Sequence, residues 1–544
     1  MRMSRFLALA VLAAACSSAL RKDVTPPLAA QAPQAAAREA ATADSPVLTE
    51  PEMIEHVLGR ATFGPRQADR QHVREAGISA FLEEQLHPDQ LDDSAVARKL
   101  ESIEVLSTSS DALVKRLYQE RKKKQQEKRQ EEMLAAAPGA PADAPKMAEP
   151  LARPKAVKRD YVQQLSQAKL LRAVSSGRQL QEVMVDFWFN HFNVFSGKAD
   201  EAALLPEYES KALRPNALGT FPELLEATAH SPAMLVYLDN WRSAVPKPKA
   251  KQKRGINENY ARELLELHTL GVDGGYSQQD VIEVARCFTG WTVGEPQKDP
   301  RFLFKPEMHD FGQKIVLGHL IPAGGGFEDA NTVLHILETH PATARFIATK
   351  LVRRFVSDDP PDSLVARVAN TYAATQGDIR SMLRTIFESP EFWSRKALRA
   401  KVRSPLELVA ASARALNAQV DDPLQLAKAV ARIGQPLYGA QPPTGYPDLS
   451  QTWLSSGALL ARIDFGLSLA SGQVQGVSID LTSIGGGAPA QVLAKAAATL
   501  GASALSDKTR DYILEQLRQT PPKPDLQAAR AVGLLLGAPE LQRR

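Results

Sequence analysis

Two stretches of the chain concentrate the residue types that can move protons or hold a ligand. The first runs from Gly255 to Gly275 and reads GINENYARELLELHTLGVDGG. On a helix, Glu258, Arg262 and Glu266 stack four apart as an acid–base–acid ladder, and Glu263 falls three before Glu266, so two carboxylates become neighbours. Neighbouring carboxylates that are also buried have their pKa values driven apart, which general acid/base catalysis requires. Glu263 and Glu266 are therefore the candidate catalytic pair. Asn257, Asn259 and Arg262 are candidates for positioning a substrate, and His268 for binding substrate or metal. The plainer reading is a surface helix whose ion pairs contribute roughly a few tenths of a kcal/mol each.

The second stretch is Asp186 to Val194, DFWFNHFNV. Asp186, Asn190 and Asn193 draw one polar stripe along a helix carrying Phe187, Trp188, Phe189 and Phe192, with His191 beside the stripe. So aromatic a helix is buried nearly all round, and a polar group left unpaired there costs about 1–3 kcal/mol. Asn190 and His191 therefore either line a ligand pocket or belong to a satisfied core network. His309-Asp310 supplies a third cluster, since adjacent His and Asp can both donate metal ligands. Together His191, His268, His309 and Asp310 form the candidate set for a divalent metal cofactor, and Trp291 is the candidate aromatic substrate contact. No HExxH, paired CxxC, GxSxG, Walker loop or strand-led GxGxxG occurs, which tells against the well-marked zincin, hydrolase-elbow and nucleotide-binding classes. Five basic residues between Lys247 and Arg254 precede Asn257 and could draw an anion toward it.

The elements that must position these groups are helical. Apolar residues recur at helical spacing from Tyr161 to about Gly290, again from Ala330 through Arg395, and from Leu406 to Leu416. The expected fold is mainly α: a multi-helical globular body with a small β-hairpin or extended loop region near 301–321. There Phe302-Leu303-Phe304 and Ile315-Val316-Leu317 interrupt the pattern. Residues 49–544 are read as a single large helical domain, in one body or two lobes. A charged helix followed by an Ala/Pro stretch forms an insertion over 111–155.

The N-terminus reads as an export signal at 1–16: Arg2 and Arg5, then ten apolar residues from Phe6 to Ala15, ending at Cys16. Leu-Ala-Ala-Ala-Cys resembles a lipobox, which makes Cys16 the candidate lipidation site and the membrane a partner through that anchor. Ordinary cleavage near the same alanines, with release into the periplasm, is the alternative. Ser17 favours the outer membrane if lipidation occurs. Residues 17–48 have the Ala/Pro composition of a disordered tether. Cys287 then stands alone and reads as a buried small hydrophobe. A net charge of +4 on 544 residues is too small to indicate nucleic acid.

Several strings together resemble one large bacterial family, the domain-of-unknown-function family 1800. They are HVLGRATFGP (His56 to Pro65), DFWFNHFNV, PAMLVYLDN (Pro232 to Asn240), NENYARELLELHTLGV (Asn257 to Val272) and FTGWT (Phe288 to Thr292). HDFGQKIVLG (His309 to Gly318), GQPLY (Gly434 to Tyr438) and GYPD (Gly445 to Asp448) complete the set, with Tyr446 where Trp is commoner. The resemblance implies an exported, largely helical protein, often encoded beside a second secreted family, and supplies no activity. Two functions stay open. The first is a hydrolase acting on an extracytoplasmic substrate such as polysaccharide through a Glu/His/Asp cleft, with or without a metal. The second is a non-catalytic envelope protein that assembles with a secreted partner.

Overall fold

The helical spacing is realised almost throughout. The computed structural model describes residues 48–135, 153–246, 255–502, 504–521 and 523–544, which belong to one compact unit made mainly of α-helices. The signal segment with Cys16, all of the tether but its last residue, and the basic run Lys247 to Arg254 lie outside the described residues. No described helix is long and apolar enough to cross a membrane.

At the centre runs the helix Gln179–His191, with Leu180, Val183, Met184, Val185, Phe187, Trp188 and Phe189 all buried. Trp188 donates its indole N–H to the Ala217 carbonyl (3.0 Å), so even the largest of these side chains is satisfied. Around it pack the helix Arg153–Ser175, the helices Glu50–Ala61 and Ile78–Leu86, and the segment that begins as the short helix Glu201–Glu207. The last continues as a π-helical turn, Tyr208–Leu213. The helix Ser110–Ala135 starts with one face in the core: Leu113, Val114 and Leu117 are fully buried beside Tyr161, while Lys115 and Arg116 on the other face are exposed. The charged stretch read as an insertion over 111–155 is thus rooted in the core at its first turns.

The extended region differs in its pairing from the simplest expectation. Strand β1 (Trp291–Val293) pairs antiparallel with β2 (Phe302–Phe304), and β3 (Lys314–Val316) pairs with β4 (His319–Ile321). Phe302–Phe304 and Ile315–Leu317 therefore take separate partners. Leu317 and Gly318 both adopt positive φ (50° and 81°), and this tight turn folds β3 straight back onto β4. A third small pair joins β5 (Gln419–Val420) to β6 (Val477–Ser478). Toward the C-terminus the helices Ser456–Ala470 and Pro524–Gly537 cross closely at Gly466 and Gly533. A Cβ on Gly533 would lie 3.0 Å from the Leu467 backbone.

Buried charge is concentrated where these helices meet. Glu209, in the π-helical turn, lies 3.4 Å from Arg214, 3.7 Å from Arg172 and 3.8 Å from Lys169, and accepts the Tyr438 hydroxyl at 2.7 Å. Burial alone would raise its carboxyl, but Lys169, Arg214 and Arg172 outweigh burial and pull it down to about 2. Glu407, held by Arg354 (2.8 Å) and Arg544 (3.0 Å), is brought to about 2 in the same way. Both folded-state values lie below the ordinary 4.5, so these groups contribute stability that is fully present above that value and is lost as the pH falls toward 2. Melting temperatures measured by calorimetry should therefore drop steeply between about pH 4.5 and 2. Glu209→Gln should lower stability at pH 7 by ~3–5 kcal/mol, because it leaves three buried cations short of a partner, and should flatten the acid limb.

Candidate functional site

The polar stripe of the central helix dictates the site. His191 and Asn193 are buried and Asp186 and Asn190 half-buried, and each is met by a loop or a neighbouring helix. Asp186 takes Lys169 at 3.2 Å. Asn190 clamps one residue from both sides: its Nδ2 donates to the Tyr446 carbonyl (2.7 Å) and its Oδ1 accepts the Tyr446 amide (2.7 Å). Asn193 donates to the carbonyls of Ala440 and Pro442 (3.0 and 2.9 Å). The helix thereby pins the 436–449 loop above itself, and between them opens a cleft of about 240 Å³.

His191 links this cleft to two further helices. The Lys350 ammonium, on the helix Pro341–Phe355, donates to His191 Nδ1 at 2.8 Å, so the ring hydrogen sits on Nε2 and is given to the His268 carbonyl at 3.1 Å. That carbonyl is available because the helix Glu258–Glu263 changes into a π-helical segment, Leu264–Thr269, and ends. Burial, then the Lys350 charge, pushes His191 well below its usual range and His268 down to about 3, so both rings are neutral. Burial and the Arg353 charge lower Lys350 from 10.5 to about 8, against an opposing pull from Asp448. Lys350 also lies 5.1 Å from the centre of the Phe346 ring. Across the cleft Asp448 accepts from Lys401 through Oδ1 (2.9 Å), while its Oδ2 has no partner. Tyr446 and Trp453 complete the lining, their rings 5.8 Å apart. The cleft thus combines a lysine of lowered basicity, a carboxylate with a spare oxygen, the cation Arg353 and two aromatic faces.

The other candidates are distributed elsewhere. Asn257 caps its helix by accepting the Asn259 amide (2.9 Å) and donates to the Asp239 carbonyl (3.1 Å); Asn259 donates to the Leu238 carbonyl (3.2 Å). Both asparagines therefore hold the backbone at Leu238-Asp239, where Asp239 has φ 60°. Arg262 binds Glu258 (3.2 Å) and Gln278 (3.0 Å), whereas Glu266 accepts the Tyr276 hydroxyl (3.2 Å). Only the first half of the expected ladder forms, because the π-helical segment shifts the spacing after Glu263. Glu263 is half-buried, and burial and then Glu266 raise its carboxyl, yet neither glutamate lines the cleft. Trp291 is fully buried in the core, stacked on His230 (4.4 Å) and Phe327 (5.3 Å), rather than presented to a substrate. His309 donates through Nδ1 to the Thr289 carbonyl (2.6 Å) and sits 3.1 Å from Asp329, which Lys314 also engages. Asp310 is gripped by Arg286 (2.8 and 3.2 Å). His191 and His268 therefore belong to one network, and His309 and Asp310 to another, joined through Thr289 and Lys314. Among the described residues no three His, Cys, Asp or Glu side chains are grouped as a metal would need. Cys287 is buried, and burial raises its thiol to about 12, as a packing residue requires.

Lys350, Arg353, Asp448 and Trp453 escaped the sequence reading. The first two belong to Lys350, Arg353 and Arg354, three cations at helical spacing on one helix, and that clustering was the available signal. Gly445 has the narrowest tolerance in the cleft: at φ +67°, an added Cβ would fall 2.4 Å from the Asn190 carbonyl oxygen. Gly445→Ala should cost ~1–3 kcal/mol from the backbone conformation alone and loosen the Asn190 clamp. Both effects are measurable as a lower melting temperature and faster proteolysis near residues 441–449.

Neither a curated protein nor a solved structure matches the chain. A family model described as a protein of unknown function (DUF1800) matches residues 56–543. That match spans the helix under the cleft, the loop above it and the networks at Trp291 and His309, and the chain belongs to the DUF1800 family.

Proposed function

We propose that the protein is an exported hydrolase whose working site is the cleft between the central helix and the 436–449 loop, and that its substrate is an anionic saccharide outside the cytoplasm. The observation that carries this reading is Lys350: an ammonium aimed by a neutral histidine into a polar cleft, with its basicity brought near neutrality. Asp448 Oδ2, unpartnered in the same cleft, is the natural base. Water attacks the scissile bond while its proton passes to Asp448, and the departing oxygen takes a proton from Lys350. Exchange with solvent then returns both groups to their starting states. Arg353 and Lys350 favour a negatively charged ligand, and the Tyr446 and Trp453 rings offer faces for a sugar. Export, with anchoring to the membrane at Cys16, rests on the signal-like N-terminus.

A second reading is favoured by one observation: Asn257, Asn259, His309 and Asp310 all spend their polar atoms on holding backbone or buried partners. Those residues then serve packing alone, in an envelope protein that assembles with a secreted partner.

Uronate-containing oligosaccharides and their neutral counterparts separate the two. The hydrolase reading expects the acidic series alone to raise the melting temperature and to be cleaved. Lys350→Met should lower kcat/KM by ~10²–10⁴-fold, and Lys350→Arg should recover binding more than turnover. Because Lys350 must carry its proton, activity should fall as the pH rises through about 8. Equal response to acidic and neutral sugars, or full activity in Lys350→Met, would contradict it.

A further inference from the structure

On the far side of Glu407 from the cleft lies a concentration of buried positive charge that neither the fold nor the proposed reaction uses. Arg354, on the cleft wall, and Arg544 share the Glu407 carboxylate. Arg60, fully buried, is close enough for Arg544, Glu407 and Arg354 to be its main electrostatic neighbours. Arg403 and Arg462 are buried beside them, Arg462 donating to the Arg403 carbonyl at 2.8 Å. Five guanidiniums thus surround one buried carboxylate. The other anions in reach are engaged by other cations: Asp448 by Lys401, Glu55 by Arg70 and Asp186 by Lys169.

Their hydrogen bonding is as incomplete as their charge. Arg60 places one nitrogen on the carbonyls of Val356 and Ala397, but its Nε and its other terminal nitrogen have no partner. Arg544 likewise leaves Nε and one terminal nitrogen empty, and Arg354 and Arg462 each leave Nε. His56 donates Nε2–H to the Phe392 carbonyl (2.8 Å), so its unpartnered Nδ1 is a bare acceptor. Native proteins leave few such groups unsatisfied, and a local excess of them points to an ion or water that belongs there. Arginine forks match tetrahedral and planar oxyanions in particular.

A cavity of about 90 Å³ adjoins this cluster, walled by His56, Gly59, Arg403, Arg543 and Arg544. The carboxylates on its rim are occupied: Glu52 by Arg395, Glu55 by Arg70, and Glu540 by Ser506 and Thr509. We propose that this cavity is a binding site for a compact oxyanion of the phosphate class, held by Arg544 and Arg403 with Arg60 behind them. His56 Nδ1 would accept the hydroxyl of the monoprotonated anion. The volume suits one such group and not an extended polyanion. The site is separate from the saccharide cleft, and Glu407 is the partition they share.

The test uses the full chain, titrated with inorganic phosphate and with glycerol phosphate against sodium chloride of matched ionic strength, followed by calorimetry and melting temperature. Saturable binding and stabilisation by phosphate beyond the chloride control is expected, and Arg544→Gln should weaken it by about tenfold or more, the loss of a charge-assisted hydrogen bond. Arg543→Glu, a change at an exposed rim residue that leaves the core intact, should weaken it as well, so the proposal remains testable if Arg544→Gln does not fold. Lys350→Met, in the other cleft, should leave phosphate binding unchanged. Binding of both anions would indicate a phosphate monoester such as a headgroup, and binding of inorganic phosphate alone a free ion. No saturable effect, an undiminished effect in Arg543→Glu, or its loss in Lys350→Met would overturn the proposal.

Discussion

A helix buried on nearly every side cannot carry Asp186, Asn190, His191 and Asn193 unless each finds a partner, and the architecture of the cleft follows from supplying those partners. Two of the four are satisfied by backbone of the 436–449 loop, one by a lysine on the helix before it, and one by the Lys350–His268 pair. These bonds lie in a largely buried setting, so lifting the loop would break the paired bonds of Asn190 and Asn193 together. Gly445 is required by the same geometry: the loop passes too near the Asn190 carbonyl for any side chain. A rigid rim of this kind is what a preorganised site needs, because catalytic groups must be held to within a fraction of an ångström.

Much of this was legible from residue order. The aromatic helix with its polar stripe announced both its burial and the need to satisfy Asn190 and His191, and the mainly helical body with small extended pieces followed from periodicity. What stayed illegible had physical causes. The π-helical segment Leu264–Thr269 leaves no mark in composition, yet it parts Glu266 from Arg262 and turns the His268 carbonyl toward His191. The pairing of β2 with Trp291–Val293 depends on tertiary packing around His230 and Phe327, not on neighbouring sequence. Lys350 sits on an ordinary amphipathic helix and gains its character from burial and from Arg353 one turn on, once His191 and Asp448 are brought to it from other elements. His309 and Asp310 show the converse: a sequence-adjacent pair with ligand chemistry whose side chains turn to different partners, Asp329 and Arg286.

Charge placement divides the interior into two regimes. Around Glu209, three cations converge on one carboxylate that also accepts the Tyr438 hydroxyl, and the group is thereby held ionised. Around Glu407 the same arrangement is overfilled, with Arg60, Arg403 and Arg462 crowding a pair that Arg354 and Arg544 already complete. The first regime stiffens the helices beneath the cleft. The second gives the protein a store of positive potential immediately behind the cleft wall, where Arg354 faces both the cleft and Glu407.

The central claim is that Lys350 is held by His191 as an ammonium of lowered basicity inside the cleft. The most direct measurement is its own titration: ¹³C reductive methylation of the full chain, with the Lys350 signal assigned by comparison with Lys350→Arg and followed by NMR from pH 6 to 11. The site described above predicts a midpoint near 8, well below the ordinary 10.5. A midpoint in the ordinary lysine range would contradict it, because a solvated, unrestrained ammonium could not be the group on which the cleft is built.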